Sequence, residues 1–275
     1  MERLRDLGMT DGWRLVARWP ARGGVLDEEH VDGVLLRSHL ELQRLSEEFQ
    51  QGARMARLLV PLLGTLRAHG VSPPYRIVDV GCGPGYVIRW LAAHGTLGPD
   101  VELMGADYNA PLVRAANRFA QAESLPCRFV VANAFQLEEP ATIYLSTGVI
   151  HHVRGGGLSR FLGEQSGALA FVHSDIKRSW LAPLGAWVFH VARMREPLAR
   201  HDGVQSAIRA HAAVTLAAAA REACPHHDIS VFDGREERFP VLKVMQALVG
   251  VRRDLAGPYR AALGGLAARL DGAGA

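Results

Sequence analysis

Residues 76–92, RIVDVGCGPGYVIRWLA, constrain the fold of this chain more than any other segment. An apolar run is followed by three closely spaced glycines and then by apolar residues at helical spacing. This pattern predicts a buried strand, a turn without side chains and a helix. Such a turn lets a ligand lie against bare backbone, near the amide groups of the helix N-terminus. The segment therefore predicts a ligand-binding strand–turn–helix unit.

The spacing of the glycines indicates the kind of ligand. Gly81, Gly83 and Gly85 read G-x-G-x-G, whereas dinucleotide-binding proteins carry G-x-G-x-x-G. Asp79 precedes the first glycine, where a carboxylate repels a pyrophosphate and favours a cationic amino group, such as that of a methionine moiety. The turn thus disfavours an NAD-dependent oxidoreductase and favours a sulfonium nucleoside.

At these residues the chain resembles the class I S-adenosylmethionine-dependent methyltransferases, whose first motif is an acidic residue followed by G-x-G-x-G. The resemblance extends over residues 76–174. Within the family, the chain resembles the bacterial group that acts on small molecules of the natural-product type. It implies S-adenosylmethionine as cofactor, methyltransferase activity and a Rossmann-like, doubly wound, mostly parallel α/β sheet.

The pattern after residue 76 agrees with such a sheet, because predicted strands and helices alternate. Strands are predicted at 77–80, 101–106, 128–132, 142–147 and 168–174, and helices at 85–94, 111–121 and 158–165. Two further strands are predicted at 228–232 and 240–247. Ligands of parallel sheets bind beyond the carboxyl ends of the strands, which is where the glycine turn and the motifs after the later strands lie.

Three regions are expected along the chain. Residues 1–75 are predicted to form an N-terminal helical cap over the substrate, irregular up to residue 26 and then forming two helices separated at Gly52. Residues 76–251 are the predicted core domain, interrupted by a helical lid insertion at 177–223. Residues 252–275 are expected to be a tail or a last helix at 259–270.

A second acidic residue, Asp107, lies about 20 residues beyond the glycine turn, which is the spacing of a ribose-binding carboxylate. The resemblance implies the same role for this position. The alternative is a cap for the helix that starts near Pro111, but Asn109 fits that role better.

The resemblance also implies the remaining cofactor contacts. Tyr108 would flank the adenine, and Ala134 would offer its backbone amide to the ring. The family usually has an acid where this chain has Asn133, whose amide oxygen can still accept from the adenine amino group. Backbone groups at Thr147 and Gly148 would run under the methionine part.

Histidine is the natural base for methylating a phenol or alcohol, because its pKa lies near neutrality. His151 and His152 follow the fourth strand, where the methyl group should point. His173 and Asp175 lie on one face of the next strand and are expected to pair.

A further base candidate is His201, which with Asp202 is expected in a turn of the lid, HDG. Each of these histidines could instead have a purely structural role. Four tryptophans could line an aromatic-friendly pocket, although singly each is more often a packing residue: Trp13, Trp19, Trp180 and Trp187.

Composition limits the partners. The net charge is only +3 and the arginines are spread along the chain, which disfavours nucleic acid as a partner. The three cysteines are far apart and predict neither disulfides nor a metal site. The first residues do not read as a secretory signal, and the apolar runs are too short to span a membrane. We expect a cytoplasmic monomer or homodimer without a membrane partner.

Together these patterns predict a small-molecule methyltransferase, with O-methylation of a phenolic or polyketide-like natural product favoured. N- and C-methylation would leave the same cofactor motifs. A nucleic-acid methyltransferase is disfavoured, because base-amino methylators carry a [DNS]-P-P-[YF] motif where this chain reads STGVIHH. A cofactor-binding protein without transfer activity is the remaining alternative.

Overall fold

The computed structural model describes residues 14–138, 140–233 and 245–271. Its strands are β1 Ala21–Arg22, β2 Val25–Leu26, β3 Tyr75–Val80, β4 Val101–Asp107, β5 Cys127–Val131, β6 Ile143–Thr147, β7 Ala170–Ile176, β8 His227–Asp233, β9 Met245–Arg252 and β10 Leu270–Asp271. β1 and β2 form a small hairpin in a region predicted to be irregular. The other strands form one sheet in the order β10-β8-β9-β7-β6-β3-β4-β5.

Strands β5, β4, β3, β6 and β7 are parallel, and β9 lies antiparallel between β7 and β8. The central strands are nearly continuous runs of buried residues, as expected for a parallel sheet that is covered on both faces. The predicted doubly wound, mostly parallel α/β sheet is therefore confirmed.

The helices are α1 Glu28–Glu48, α2 Gln51–Ala68, α3 Tyr86–His94, α4 Ala110–Ala122, α5 Gly156–Gly163, α6 Ala182–Arg193, α7 Pro197–Arg209, α8 Ala213–Ala223 and α9 Arg253–Leu263. Short 3-10 helices lie at Ile150–His152 and Gly264–Arg269. Apolar side chains of α2, α3, α4 and α9 cover one face of the sheet, and those of α5 and α8 cover the other.

The predicted cap and lid are smaller than expected, because two of their helices belong to the core. α2 buries four leucines completely against the sheet: Leu59, Leu62, Leu63 and Leu66. α8 buries Leu216 and Ala217 on the opposite face. Only α1 with the β1–β2 hairpin, and the pair α6–α7, lie outside the two core layers in the described ranges. These helices read as cap and lid in the sequence because helical periodicity does not reveal which partner a face packs on.

The expected break at Gly52 is wrong. The two helices part at Phe49 and Gln50, where Gln50 has a left-handed φ of 51°. Gly52 lies inside α2, and a Cβ there would come within 2.3 Å of the Trp90 ring. This glycine therefore permits close helix packing rather than ending a helix.

The other expected bounds hold within a few residues. Residues 240–244 of the predicted strand 240–247 lie outside the described residues, and the observed strand is Met245–Arg252. The last helix is α9, which begins six residues earlier than predicted and is followed by the 3-10 helix. α1 begins at a side-chain cap, in which the Asp27 carboxylate accepts from His30 N at 2.8 Å.

Candidate active site

The carboxyl ends of the parallel strands bring most of the predicted site residues to one edge of the sheet. Asp79 lies next to the end of β3, Asp107 ends β4, Thr147 ends β6 and Asp175 lies near the end of β7. Open α/β sheets bind their ligands at this edge.

The glycine turn after β3 is held tightly against its neighbours. Gly81, Gly83 and Gly85 all have left-handed φ angles, of 74°, 55° and 79°. A Cβ at Gly81 would lie 2.7 Å from a Val149 methyl carbon, and one at Gly85 would lie 2.4 Å from the Phe129 ring. The turn therefore requires glycine both for its backbone angles and for the space around it.

Asp107 ties the end of β4 to this turn. Its carboxylate accepts from Gly83 N and from Asn109 N, each at 2.8 Å. Asn109 occupies the cap position of α4, but its side chain makes no capping hydrogen bond. Asp107 thus stabilises the local backbone, and ribose binding by its remaining lone pairs stays a prediction.

Asp79 is a buried carboxylate whose Oδ1 has no hydrogen-bond partner within the part of the chain that the structure describes. Burial, reinforced by the charge of Asp107, raises the pKa of Asp79 well above its usual range. A buried carboxylate is costly unless a cation or donor joins it. The cationic amino group of a methionine moiety would meet this need, so the turn and Asp79 fit S-adenosylmethionine.

The predicted adenine contacts lie beyond β4 and β5. Tyr108 is 77% exposed at the rim. The amide oxygen of Asn133 accepts from Phe135 N at 3.0 Å, which occupies part of its capacity to accept from an adenine. Ala134 lies in the turn closed by the bond from Gln136 N to Asn133 O. The adenine roles of these residues stay predictions.

Thr147 and Gly148 mark an opening after β6. Thr147 Oγ1 is buried without a hydrogen-bond partner among the described residues. Gly148 N donates to Ser174 O at 2.9 Å, so this amide is already used. No described atom lies within 4 Å of the place where a Gly148 Cβ would be, so space is left there for a ligand.

A buried histidine–carboxylate pair lies beside this opening. His151 Nδ1 is 2.7 Å from Asp175 Oδ1, and because a carboxylate only accepts, this nitrogen carries the proton. His151 N also donates to Asp175 Oδ2 at 3.0 Å. Burial alone would raise the pKa of Asp175, but the bonds and charge from His151 outweigh it and lower that pKa. His151 Nε2 faces inward without a partner among the described residues.

His152 is exposed and its ring centroid lies 4.1 Å from that of His151. Desolvation by nearby protein atoms, and then electrostatic repulsion from the His151 ring, lower the pKa of His152, although Asp202 and Asp175 oppose this shift. The imidazole of His152 is therefore neutral near pH 7. Asp202 comes from α7, which packs against the 3-10 helix that carries both histidines.

His173 does not pair with Asp175, contrary to expectation. Its Nδ1 lies 2.8 Å from Ser146 Oγ, and its ring packs between Phe161 and Phe171. Burial lowers the pKa of His173 to about 3, so its imidazole stays neutral inside the core. The expected pairing was wrong because His151 occupies the carboxylate of Asp175. The structure therefore gives His173 the structural role.

The expected turn at His201 is also wrong, since this residue and Asp202 lie in the interior of α7. Gly203 has no turn geometry; it makes room for His190, whose Nε2 would be 2.1 Å from a Cβ there. Of the tryptophans, Trp180 and Trp187 are exposed, Trp19 contacts His30, and Trp13 lies outside the described residues.

Sequence reasoning missed the residues of α1 that close the site from above. A Cβ on Gly83 would lie 3.4 Å from the His39 ring, so this side chain of α1 lies against the glycine turn. Glu41 accepts from the backbone N of Arg195 and Glu196, each at about 3.0 Å. These bonds join α1 to α6 and α7, and we call the three helices the helical cover. Polar residues on an amphipathic helix carry no sequence signal for such contacts.

Residues 77–170 match a family described as methyltransferase domain. The match begins in β3 and ends at the first residue of β7, so it includes the glycine turn, Asp79 and Asp107. This chain contains a class I S-adenosylmethionine-dependent methyltransferase domain. The cofactor of the methyltransferase domain is S-adenosylmethionine. The family and the cofactor that the sequence predicted are thus confirmed.

Two solved structures share the fold of the methyltransferase domain. The plantazolicin methyltransferase BamL, in complex with a triazolic desmethylPZN analog and SAH, has a TM-score of 0.55 and 11% identity over 80% of this chain and 96% of that chain. The plantazolicin methyltransferase BpumL, in complex with SAH, has a TM-score of 0.54 and 11% identity over 81% of this chain and 96% of that chain.

A curated relative matches only part of the chain. Ribosomal RNA small subunit methyltransferase C of Alcanivorax borkumensis is 30% identical over 74 residues. The matched segment is 27% of this chain and spans 21% of that relative. In the described residues, no helix is both long enough and apolar enough to cross a membrane.

Proposed function

We propose that this chain transfers the methyl group of S-adenosylmethionine to a small molecule, by O-methylation of a phenolic or polyketide-like acceptor. We further propose that it does so in the cytoplasm, in natural-product biosynthesis. The observation that carries the acceptor class is the helical cover over the donor site.

The cover favours a small acceptor for a geometric reason. The His39 ring of α1 lies against Gly83, and Arg37 Nε pairs with Glu196 Oε1 at 2.5 Å across the junction with α7. The rings of Phe49 and Phe189 lie 6.2 Å apart at the junction with α6. A site roofed in this way suits a molecule that enters whole, whereas a nucleic-acid duplex would need an open, basic surface. The two structural neighbours are plantazolicin methyltransferases, which supports a small molecule as the acceptor.

The donor side follows from the residues already described. The glycine turn and Asp79 would hold the methionine moiety, and Asp107 would hold the ribose. The cofactor supplies an electrophilic methyl group on a sulfonium, so the protein mainly has to align the acceptor oxygen with it. The methyl–sulfur bonding electrons stay on sulfur as the new carbon–oxygen bond forms.

His152 is the proposed acceptor of the hydroxyl proton. Its lowered pKa leaves a neutral ring nitrogen at pH 7, and its ring lies beside the opening after β6. His151 is the proposed positioning residue, because Asp175 fixes its ring at 2.7 Å and the ring of His152 packs against it. N- and C-methylation remain alternatives to O-methylation.

The test starts with the cofactor. Calorimetric titration with S-adenosylhomocysteine should show binding, and Asp107→Asn should weaken it by about 1.5–3 kcal/mol, the worth of a hydrogen bond to a charged group. Glu102→Gln, on the same strand in an exposed ion pair with Arg76, is the matched control and should leave binding unchanged. Absence of binding to the folded wild-type chain would refute the proposal.

The acceptor is then sought with a panel of hydroxylated aromatics and polyketides, with methyl addition followed by mass spectrometry and its position by NMR. His152→Gln should lower turnover by about 10²–10⁴-fold with an unchanged KM for cofactor. The rate should fall as the pH drops and His152 gains a proton. Full turnover and an unaltered pH profile in this variant would show that alignment suffices without a base.

A further inference from the structure

α6 has its polarity reversed relative to an ordinary surface helix. His190, its one titratable side chain before the terminal Arg193, is buried against Gly203 of α7. The large apolar residues of α6 are exposed, except Phe189, which packs near Phe49. No Asp, Glu, Lys or Arg occurs between Ser179 and Ala192. Surface helices normally show the opposite arrangement.

The outward residues form one continuous surface, which we call the α6 stripe. Leu181, Leu184, Val188 and Val191 follow the three- and four-residue spacing of one helix face. The two tryptophans adjoin them: Trp187 is 55% exposed and Trp180, just before the helix, is 87% exposed. These six residues are half of the large apolar side chains that are exposed in the described ranges. Contiguous exposed apolar surface of this kind marks an interaction site.

Charge at the two ends of the stripe indicates the partner. Residues 177–200 contain five lysines or arginines and one acidic residue, while the whole chain carries a net charge of only +3. Lys177 and Arg178 precede the stripe and Arg193 and Arg195 follow it. Arg193 pairs with Glu48 and Glu196 pairs with Arg37, so the charges of these two pairs cancel, and Arg178 and Arg195 are the basic residues that flank the stripe outside them.

We propose that the α6 stripe docks on an anionic lipid surface. Tryptophans and aliphatic residues on one face, with basic residues at the edges, are typical of a helix that lies at the lipid headgroup level. The composition predicted no membrane partner, and the 12 residues of α6 are far fewer than the roughly 20 needed for a span. Surface binding is a different mode that does not require a span.

A second copy of the chain fits the stripe less well. Whether two α6 helices met parallel or antiparallel, the basic residues at their ends would face basic residues of the other copy. Such like-charge contacts oppose association. An anionic surface instead complements both ends at once.

The docking surface would also orient the methyltransferase domain. β7 ends at Ile176, one residue before Lys177, and carries Asp175 of the histidine pair. A chain bound through the stripe would therefore hold its proposed acceptor side next to the lipid. Docking itself is independent of the proposed chemistry, so it can be tested whether or not an acceptor is found.

The experiment is co-sedimentation of the full chain with vesicles of phosphatidylcholine alone or mixed with phosphatidylglycerol. We expect binding to the anionic vesicles only, weakened by added salt. Leu184→Asp should lower the vesicle partition coefficient by about tenfold or more, since it puts a charge in place of an aliphatic group that would be buried in the lipid. Val214→Asp is the matched control, an exposed valine on α8, and should bind as the wild type does.

The double variant Arg178→Gln, Arg195→Gln should lose the preference for anionic lipid, and thermal melts should show that every variant is folded. Equal binding to neutral vesicles, or binding that survives Leu184→Asp, would overturn the proposal. The proposal would also be overturned if the wild-type chain bound neither kind of vesicle. Light scattering would then show whether the chain is a monomer or a dimer that Leu184→Asp dissociates, and neither result would rescue lipid docking. Failure of methyl transfer with intact vesicle binding would count only against the proposed function.

Discussion

The proposed donor half and the proposed acceptor half of the site are built in different ways. The donor half, from β3 to α4, is made of backbone: three left-handed glycines, amide groups tied to Asp107, and one buried carboxylate, Asp79. The acceptor half, around β6 and β7, is made of side chains held by other side chains, with His151 on Asp175 and the helical cover above.

This difference separates what can vary from what cannot. A backbone turn of this kind restricts its residues to glycine. An added Cβ would contact a neighbouring side chain, or the residue would have to adopt a φ angle that disfavours any side chain. A side-chain cluster can exchange its members as long as their hydrogen bonds are met. We therefore expect the glycine turn of the donor half to tolerate almost no substitution, and the acceptor half to respond according to burial.

The largest effect is expected at Asp175. Asp175→Ala strips a buried histidine of its partner and should lower the free energy of unfolding by about 3–5 kcal/mol at pH 7. Because the folded state lowers the pKa of Asp175, its contribution is present above the unfolded pKa and is lost as the pH falls through the folded value. Urea unfolding should show the gap between wild type and variant shrinking below about pH 4.

The control for this prediction is Asp175→Asn, which keeps an oxygen toward His151 and should lose less. The difference in unfolding free energy between wild type and Asp175→Ala could instead stay constant down to the lowest pH at which both proteins fold. The carboxylate charge would then contribute nothing to stability, and the acceptor half would depend on shape alone.

The next effect is expected in the glycine turn. Gly85→Ala combines a left-handed φ with a contact to the Phe129 ring and should cost about 2–4 kcal/mol in urea unfolding. Gly95→Ala is the matched control, since Gly95 has a left-handed φ of 58° but open space around it. Equal losses in the two variants would mean that strain alone, not packing, makes the donor turn intolerant.

A smaller effect of opposite sign is expected at Asp79. Its raised pKa means that stability falls as the pH rises from about 4 through the folded value. Asp79→Asn should therefore raise the Tm of the cofactor-free protein at pH 7, by roughly 2–4 °C for each kcal/mol of relief. Calorimetry should find that it weakens S-adenosylmethionine binding at the same time.

Asp254→Asn, at an exposed ion pair, should leave both quantities unchanged. A lower Tm in Asp79→Asn would indicate that the carboxylate is already satisfied without cofactor, and the donor half would lose its proposed amino-group contact.

The smallest effect is expected in the cover. Arg37→Gln removes a half-exposed ion pair with Glu196 and should lower the free energy of unfolding by less than about 1 kcal/mol. Arg260→Gln, which breaks a similar pair with Asp228, is the comparison. Once an acceptor is known, only Arg37→Gln should raise its KM, and the absence of that difference would separate the cover from acceptor binding.

The sequence predicted the donor half well because its residues act locally. Glycine spacing and the acid at a strand end are short-range signals, and Asp79, Gly81, Gly83, Gly85 and Asp107 all lie at the predicted edge. The acceptor half depends on contacts between distant residues. His151 meets Asp175, 24 positions away, and Glu41 meets Glu196, 155 positions away.

Helical periodicity has the same limit. It predicted α2 and α8 as helices, but it could not say that their apolar faces cover the sheet rather than a substrate. For α6 it showed apolar residues without showing that they face outward, because an inward and an outward stripe have the same spacing.

The place of β9 in the sheet has a consequence for biosynthesis. β8 hydrogen-bonds to β9 and to the two-residue β10, and β9 is also the neighbour of β7. A nascent chain that has not yet delivered residues 245–252 therefore exposes one whole edge of β7 and leaves β8 unattached. Exposed strand edges recruit other chains. During synthesis one edge of β7 therefore stays unpaired until β9 has left the ribosome.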